Sequence, residues 1–300
     1  MITIIMTPKT KGILLLLGSA LLYSIMPVLI RTLGAGHIPP MSQVFLRYIF
    51  AFLAALIYFV ITKSKFELNK KHIPAILLLS VFGYALTNLW FTYGILYTQV
   101  GTALFIFYCW GIITPILGLI FLKEKMNIYN IVALLMGGAA LALLFSPAPV
   151  STWKLGAIFA FASALGQSFY LIGRMKLSQY NSKFLLLCNT FIGVITLGLL
   201  AFLFEDNFYS SNQGIMTVSP ATWIATILFG IDNFAAWLLM SKGFQFVSTS
   251  TGSMVLLAEN IFALIFAFFF FAELPTMMTF IGGSLILLAS LLVIFKGKNS

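Results

Sequence analysis

The chain has 300 residues, 61% of them hydrophobic and 8% charged, and its mean hydropathy is +1.06. That much apolar surface excludes a water-soluble domain. Recurrent apolar runs of about 20 residues suit a bilayer core about 30 Å thick, whereas a membrane β-barrel would alternate in short segments. The formal charge of +10 does not imply nucleic acid, because the lysines sit in short connections between apolar runs, where they orient the chain.

Charges and turn residues divide the sequence into ten predicted helical spans. The first, 12–33, follows Lys9 and Lys11, is too long for a signal-peptide core, and carries Tyr23 and Ser24. The second, 41–62, holds Arg47, expected to reach the outer interface or to pair with an acid in the bundle. The third, 73–96, contains Asn88, Trp90 and Tyr93; the fourth, 100–122, contains Tyr108 and Trp110; the fifth, 128–146, contains Gly137 and Gly138. The sixth, 154–175, places Ser163, Gln167 and Tyr170 on one face and ends at Arg174, expected to snorkel to the headgroups. The seventh is 183–204. A long connection, 205–219, precedes the eighth, 220–242, with Asp232, Asn233 and Trp237. The ninth, 250–272, holds Glu259 and Asn260, and the tenth, 277–296, holds Gly282 and Gly283. Both glycine pairs read as packing positions, with a dimer contact as the alternative. Cys109 and Cys188 lie in apolar runs and read as small buried hydrophobes.

With the N-terminus cytoplasmic, the inner connections collect Lys9, Lys11, Lys63, Lys65, Lys70, Lys71, Lys123, Lys125, Arg174, Lys176, Lys183, Lys242, Lys296 and Lys298, and the outer ones only Arg31 and Lys154. This asymmetry predicts that both termini are cytoplasmic.

Glu259 and Asp232 are the acids inside spans. A charge at a helix centre costs roughly 2.5–3.5 kcal/mol on insertion scales, so such a group faces a wet cavity, has a partner or is protonated. Ser248, Thr251, Gly252 and Val255 lie on or near the face of Glu259, a small and partly polar stripe suited to a cavity wall. Glu259 and Asp232 are therefore candidates for solute binding and proton coupling. The structural alternatives are one interhelical hydrogen bond for Glu259 and a pair with Arg47 or Arg174 for Asp232. Either Asp232 or Asn233 should line the cavity, and Trp237 lies one turn from Asn233. Tyr23, Ser24, Asn88, Trp90, Tyr93, Tyr108, Trp110, Gln167, Tyr170 and Asn260 complete the candidate contacts. Polar-tipped aromatics can hold an amphipathic solute, although packing or an interface position explains each one equally well.

The halves resemble each other. GSALLYS (18–24) parallels ASALGQS (162–168), FGYALTNLW (82–90) parallels FGIDNFAAW (229–237), and YCWGIITPILGLIFLKE (108–124) parallels LAENIFALIFAFFFFAE (257–273). Five spans per half is odd, so the second half enters from the opposite side, with Glu124 inside and Glu273 outside. Such inverted units can exchange conformations around a midplane site. The expected fold is an all-α membrane protein of about ten transmembrane helices in two inverted five-helix repeats, 1–147 and 148–300.

With these motifs in this order, the sequence resembles the drug/metabolite transporter superfamily with two EamA-type domains. The fourth and ninth spans end in FLKE and FFAE as in that family. Glu259 matches the glutamate of its Glu-Pro step, but Asn260 replaces the proline; in the fourth span that place is Gly111, with Pro115 a turn later. The resemblance implies that spans one to four and six to nine surround a central cavity, with five and ten peripheral. It further implies export of small metabolites or amino acids across a bacterial cytoplasmic membrane without ATP.

The predicted function is thus a secondary transporter exporting small amphipathic metabolites by alternating access, with proton coupling through Glu259 or Asp232. A lipid-linked-sugar flippase on the same scaffold is the alternative. A membrane enzyme is disfavoured: His37 and His72 lie in loops, and no nucleophile elbow, phosphate loop or metal motif occurs. No cofactor or metal is expected. The expected partners are a small-molecule solute and the lipid bilayer, with monomer and weak dimer both open.

Overall fold

The structure, a computed structural model, describes residues 7–122, 128–145, 151–210, 214–247, 252 and 255–296. Among them there is no strand. Glu124, Lys123, Lys125, Ser248, Thr251 and Lys298 lie outside the described residues. The helices are α1 Pro8–Ala35, α2 Pro40–Ile61, α3 Ile73–Leu78, α4 Thr87–Tyr97, α5 Val100–Phe107, α6 Trp110–Leu122 and α7 Ile128–Phe145. There follow α8 Ser151–Lys176, α9 Ser182–Phe204, α10 Asp206–Ser210, α11 Pro220–Gly243, α12 Ala258–Phe271 and α13 Met277–Lys296. A π-helical stretch, Leu79–Leu86, joins α3 to α4.

Among the described residues, seven helical segments are long and apolar enough to cross a membrane: Pro8–Ala35, Pro40–Ile61, Lys70–Tyr97, Val100–Gly118, Lys154–Lys176, Ser182–Phe204 and Pro220–Gly243. Ile131–Leu144, Ala258–Phe271 and Met277–Leu292 are apolar but shorter. The chain is therefore a multi-pass integral membrane protein. The starts follow local chemistry: Thr7 and Ser219 each accept a hydrogen bond from the backbone N–H three residues on, and Pro8 and Pro220 occupy the first helical position.

Four segments depart from regular α-helix. Pro27 lies inside α1 and cannot supply the N–H that would serve the Tyr23 carbonyl. In the Leu79–Leu86 stretch the Thr87 hydroxyl donates to the Phe82 carbonyl at 2.9 Å. The fourth predicted span is split by a turn at Tyr108 and Cys109, where the Cys109 N–H reverts to the Ile106 carbonyl before α6 begins at Trp110. The ninth contains a turn at Leu257, after which α12 starts. The repeat alignment pairs Tyr108 with Leu257, so the two breaks share one register.

Packing between the halves runs in matched pairs. Helix α1 lies along α11, and the third span lies along α8. Helix α2 lies along α9, α5 touches α12, and α7 lies along α13. Helix α1 also meets α12 as α8 meets α5 and α6, and α2 meets α11 as α9 meets the π-helical stretch. The aligned serines carry equivalent bonds: Ser19 donates to the Ala236 carbonyl at 2.8 Å across α1 and α11, and Ser163 donates to the Thr87 carbonyl at 2.9 Å across α8 and the third span. Close approach needs small residues. At Gly83 a Cβ would sit 3.0 Å from the Tyr170 Cα, and at Gly156 it would sit 2.8 Å from the Tyr97 carbonyl carbon. Of the two glycine pairs, Gly137 faces Ile112, Gly282 faces Leu144 and the Ala140 carbonyl, and Gly283 faces Phe105, while Gly138 meets nothing within 4 Å.

The two ends of the bundle differ in charge. At one end the Glu205 carboxylate accepts from the backbone N–H groups of Met41 and Ser42 at 2.9 and 2.8 Å, capping α2, and from the Ser42 hydroxyl at 2.7 Å. At that same end Arg31 forms an ion pair with Glu273 and donates to the Ile95 and Thr98 carbonyls. The other Glu273 oxygen accepts the Val100 N–H, the first of α5, at 3.0 Å. Ala272, in the left-handed region at φ 53°, ends α12 and turns Glu273 toward these partners. The opposite end holds a basin of about 810 Å³ lined by Lys63, Lys65, Lys183, His72 and Tyr180, among others.

Candidate functional site

The site is built around Glu259, which stands in the first turn of α12. A helix N-terminus favours negative charge, so the break at Leu257 gives this carboxyl a positive helix end instead of the middle of a continuous helix. The Tyr108 hydroxyl donates to Glu259 Oε2 at 2.7 Å. Tyr108 is buried and stands at the other break, so both interruptions meet in one hydrogen bond. Asn260, next to Glu259, is 1% exposed; its amide donates to the Leu257 carbonyl at 3.4 Å, and its Oδ1 has no partner among the described residues.

Tyr23 of α1 lies within electrostatic reach of Tyr84, Tyr170, Asp232 and Glu259. These five side chains come from α1, the π-helical stretch, α8, α11 and α12, each near the middle of its segment or at a break. All five are partly uncovered. Tyr84 leans on Tyr170, with ring centroids 5.8 Å apart, and Tyr108 on Trp110 at 6.1 Å. Tyr170 also accepts from the Asn189 amide at 3.4 Å.

Other candidates lie at the margin. Ser24 is fully buried and donates to the Leu21 carbonyl of its own helix at 2.6 Å. Tyr93 stacks on Phe159 at 4.8 Å and lies within reach of Glu205, toward the end that carries the ion pair. Asn233 is 8% exposed, and Trp237 stacks on Phe234 at 6.3 Å. Trp90 and Gln167 are half-buried. Asn88 is half-buried; its amide donates to the Tyr84 carbonyl at 3.0 Å, and its Oδ1 accepts from Arg47 at 3.2 Å.

Two expectations about basic residues are corrected. Arg47 neither reaches an interface nor pairs with an acid: it is fully buried, and Asn88 is its hydrogen-bond partner among the described residues. Asp232 is not paired with Arg47 or Arg174, and its buried Oδ2 has no partner among the described residues. Arg174 is held by the Leu177 and Tyr180 carbonyls and by the Ser182 hydroxyl at 2.9 Å, which fixes the turn between α8 and α9. Sequence reasoning missed Tyr84. The signal that could have found it is its place one turn before Asn88 in the repeated FGYALTNLW segment.

Comparisons with known proteins bear on the fold and the family. A crystal structure of another protein matches 97% of this chain and 100% of its own, with a TM-score of 0.67 at 14% identity, a likeness of fold alone. A protein of Synechocystis sp. named "Uncharacterized transporter sll1164" is 27% identical over 214 residues, 60% of this chain. The chain spans about half, 54%, of the length of that curated relative. The model of the EamA-like transporter family matches twice, over residues 10–146 and 154–295, one match in each half of the chain. The chain therefore belongs to the EamA-like transporter family.

Proposed function

We propose that the protein is a secondary transporter that exports small amphipathic organic metabolites by alternating access, with Glu259 as the proton-coupling group. The observation that carries this reading is the meeting of two broken helices at one carboxyl. The Tyr108–Glu259 hydrogen bond joins breaks that share a register in the two halves, amid polar-tipped aromatics half-way through the bundle. Discontinuous helices around a mid-bundle site are the usual transporter device.

The matched packing pairs and the paired serine bonds support a pseudo-symmetric arrangement of ten helices in two inverted five-helix units, 1–147 and 148–300. The opposite charges of the two ends support an orientation with the lysine-lined basin in the cytoplasm and Glu205 and Glu273 outside, as in a bacterial cytoplasmic membrane. Tyr23, Tyr84, Tyr108, Trp110 and Tyr170 would enclose the apolar part of the solute, and Glu259 with Asp232 its polar part.

The test is counterflow from proteoliposomes filled with a defined mixture of amino acids and organic acids, run with and without an inward proton gradient. Some solutes should leave faster under the gradient, and Glu259→Gln should abolish that acceleration. Acceleration that persists in both the Gln and Ala variants would remove Glu259 from coupling; no movement of any solute in either condition would count against transport of this class.

A further inference from the structure

Arg47 is a cation without a counter-ion among the described residues. It is 0% exposed and lies about two turns into α2. Its Nη2 reaches Asn88 Oδ1 at 3.2 Å and the Asn88 carbonyl at 3.5 Å, while Nε and Nη1 have no partner among the described residues. Those two nitrogens carry three of the five N–H donors of a guanidinium. The Arg31–Glu273 bridge is the ion pair among the described residues, and none of their carboxylates pairs with Arg47. A buried cation in this state is costly, and in a membrane protein it marks a solute or ion path by default.

The surroundings say what would fit. The guanidinium stacks over the Phe229 ring at 4.5 Å and lies 5.9 Å from that of Tyr48. Asn88, its hydrogen-bond partner among the described residues, also donates to the backbone carbonyl of Tyr84, whose ring belongs to the central cluster. Asp232, with its own unpartnered oxygen, stands one turn beyond Phe229 on α11. Arg47 thus sits beside Asn88, with unmet donors and the rings of Phe229 and Tyr48 around it. Among the described residues, charge balance here calls for an acceptor that arrives from outside the chain or an acid that moves.

We infer that Arg47 and Asn88 form an anion subsite that takes the carboxylate of an organic solute whose apolar body lies against Tyr48, Tyr84 and Phe229. Separation of α2 from α11 would open it, because these helices pack tightly where Gly230 meets the Arg47 carbonyl. The inference rests on the transport reading only in treating the ligand as cargo; binding itself needs no transport.

The chain contains three arginines, Arg31, Arg47 and Arg174, so protein labelled with 15N-arginine in nanodiscs gives three side-chain Nε signals. Arg47→Lys assigns one of them. Acetate, benzoate and 3-phenylpropanoate are titrated beside the neutral amides of the same three acids. The Arg47 signal should move saturably with at least one carboxylate and with none of the amides, while Arg31 and Arg174 stay in place. Arg47→Lys should weaken binding of that carboxylate about tenfold or more, since an ammonium lacks the guanidinium fork. No movement with any of the three carboxylates, or equal movement with the amides, overturns the subsite. So does a shift produced by Asp232→Asn alone and by no carboxylate, which would make Asp232 the counter-ion. Specific carboxylate binding in a protein that moves no solute would leave the subsite standing and sink the transport reading. Flux indifferent to carboxylate against amide would do the reverse.

Discussion

Tyr108 and Glu259 show how far single residues can be read. An acid in an apolar run is visible at once, and so is the choice between a wet cavity, a partner and protonation. The partner is not visible, because Tyr108 lies 151 residues earlier and its phenol could have faced lipid or packing. Arg47 was misread for a similar reason. Charge rules assign a buried arginine a counter-ion, and only coordinates show that the neighbours are an amide and two rings. The Tyr108–Glu259 bond has a measurable energy. Tyr108→Phe leaves Glu259 Oε2 without its donor and should cost about 1–3 kcal/mol of stability. In a double-mutant cycle with Glu259→Ala, followed by unfolding in micelles, the two losses should sum to more than the double variant loses; strict additivity would remove the bond.

Among the elements, the long apolar helices were legible because their length alone marks them. Their irregularities were not. Hydropathy is blind to the turn at Tyr108, since every residue from Val100 to Leu122 is apolar or small enough to continue a helix. The π-helical stretch is equally silent, although it resets the face that Tyr84 presents. Helix contacts were partly legible: glycines announce close approach but not the partner. Gly156 and Gly138 make the contrast testable. A methyl at Gly156 would press on the backbone at Tyr97 and Thr98, at 2.8 and 2.9 Å, which no side-chain rotation relieves. Gly156→Ala should destabilise by about 1–3 kcal/mol. Gly138→Ala meets nothing and should be neutral, or stabilising by up to about 1 kcal/mol through helix propensity. Thermal unfolding of both variants checks the pair, and equal effects would contradict the packing.

At the scale of the whole molecule, the repeat was the most legible feature, because aligned strings survive in both halves. What a sequence does not reveal is that the halves interleave, so that nearly every major contact of one half is made with the other. In such an arrangement, opening one end means parting contacts between the halves. The Arg31–Glu273 pair, with side chains 19% and 21% exposed, spans such a seam. Weakening closure by about 1.4 kcal/mol would raise the open population about tenfold. In a background where Cys109 and Cys188 are replaced by Ala, Glu273→Gln should therefore speed reaction of Tyr23→Cys with a membrane-impermeant maleimide added on the side of the bilayer where this pair lies. An unchanged rate would deny the pair any part in closing that end.

The same pair joins residues 242 positions apart. A ribosome feeding this chain into a bilayer releases Arg31 ahead of Glu273 by those 242 residues, so the arginine waits through the intervening helices without its mate. Until then it must stay near the aqueous border or borrow lipid phosphates. Truncations upstream of residue 273 should consequently insert with a loose first helix, open to proteases and quality-control factors, and final locking of the bundle must wait for the ninth apolar segment.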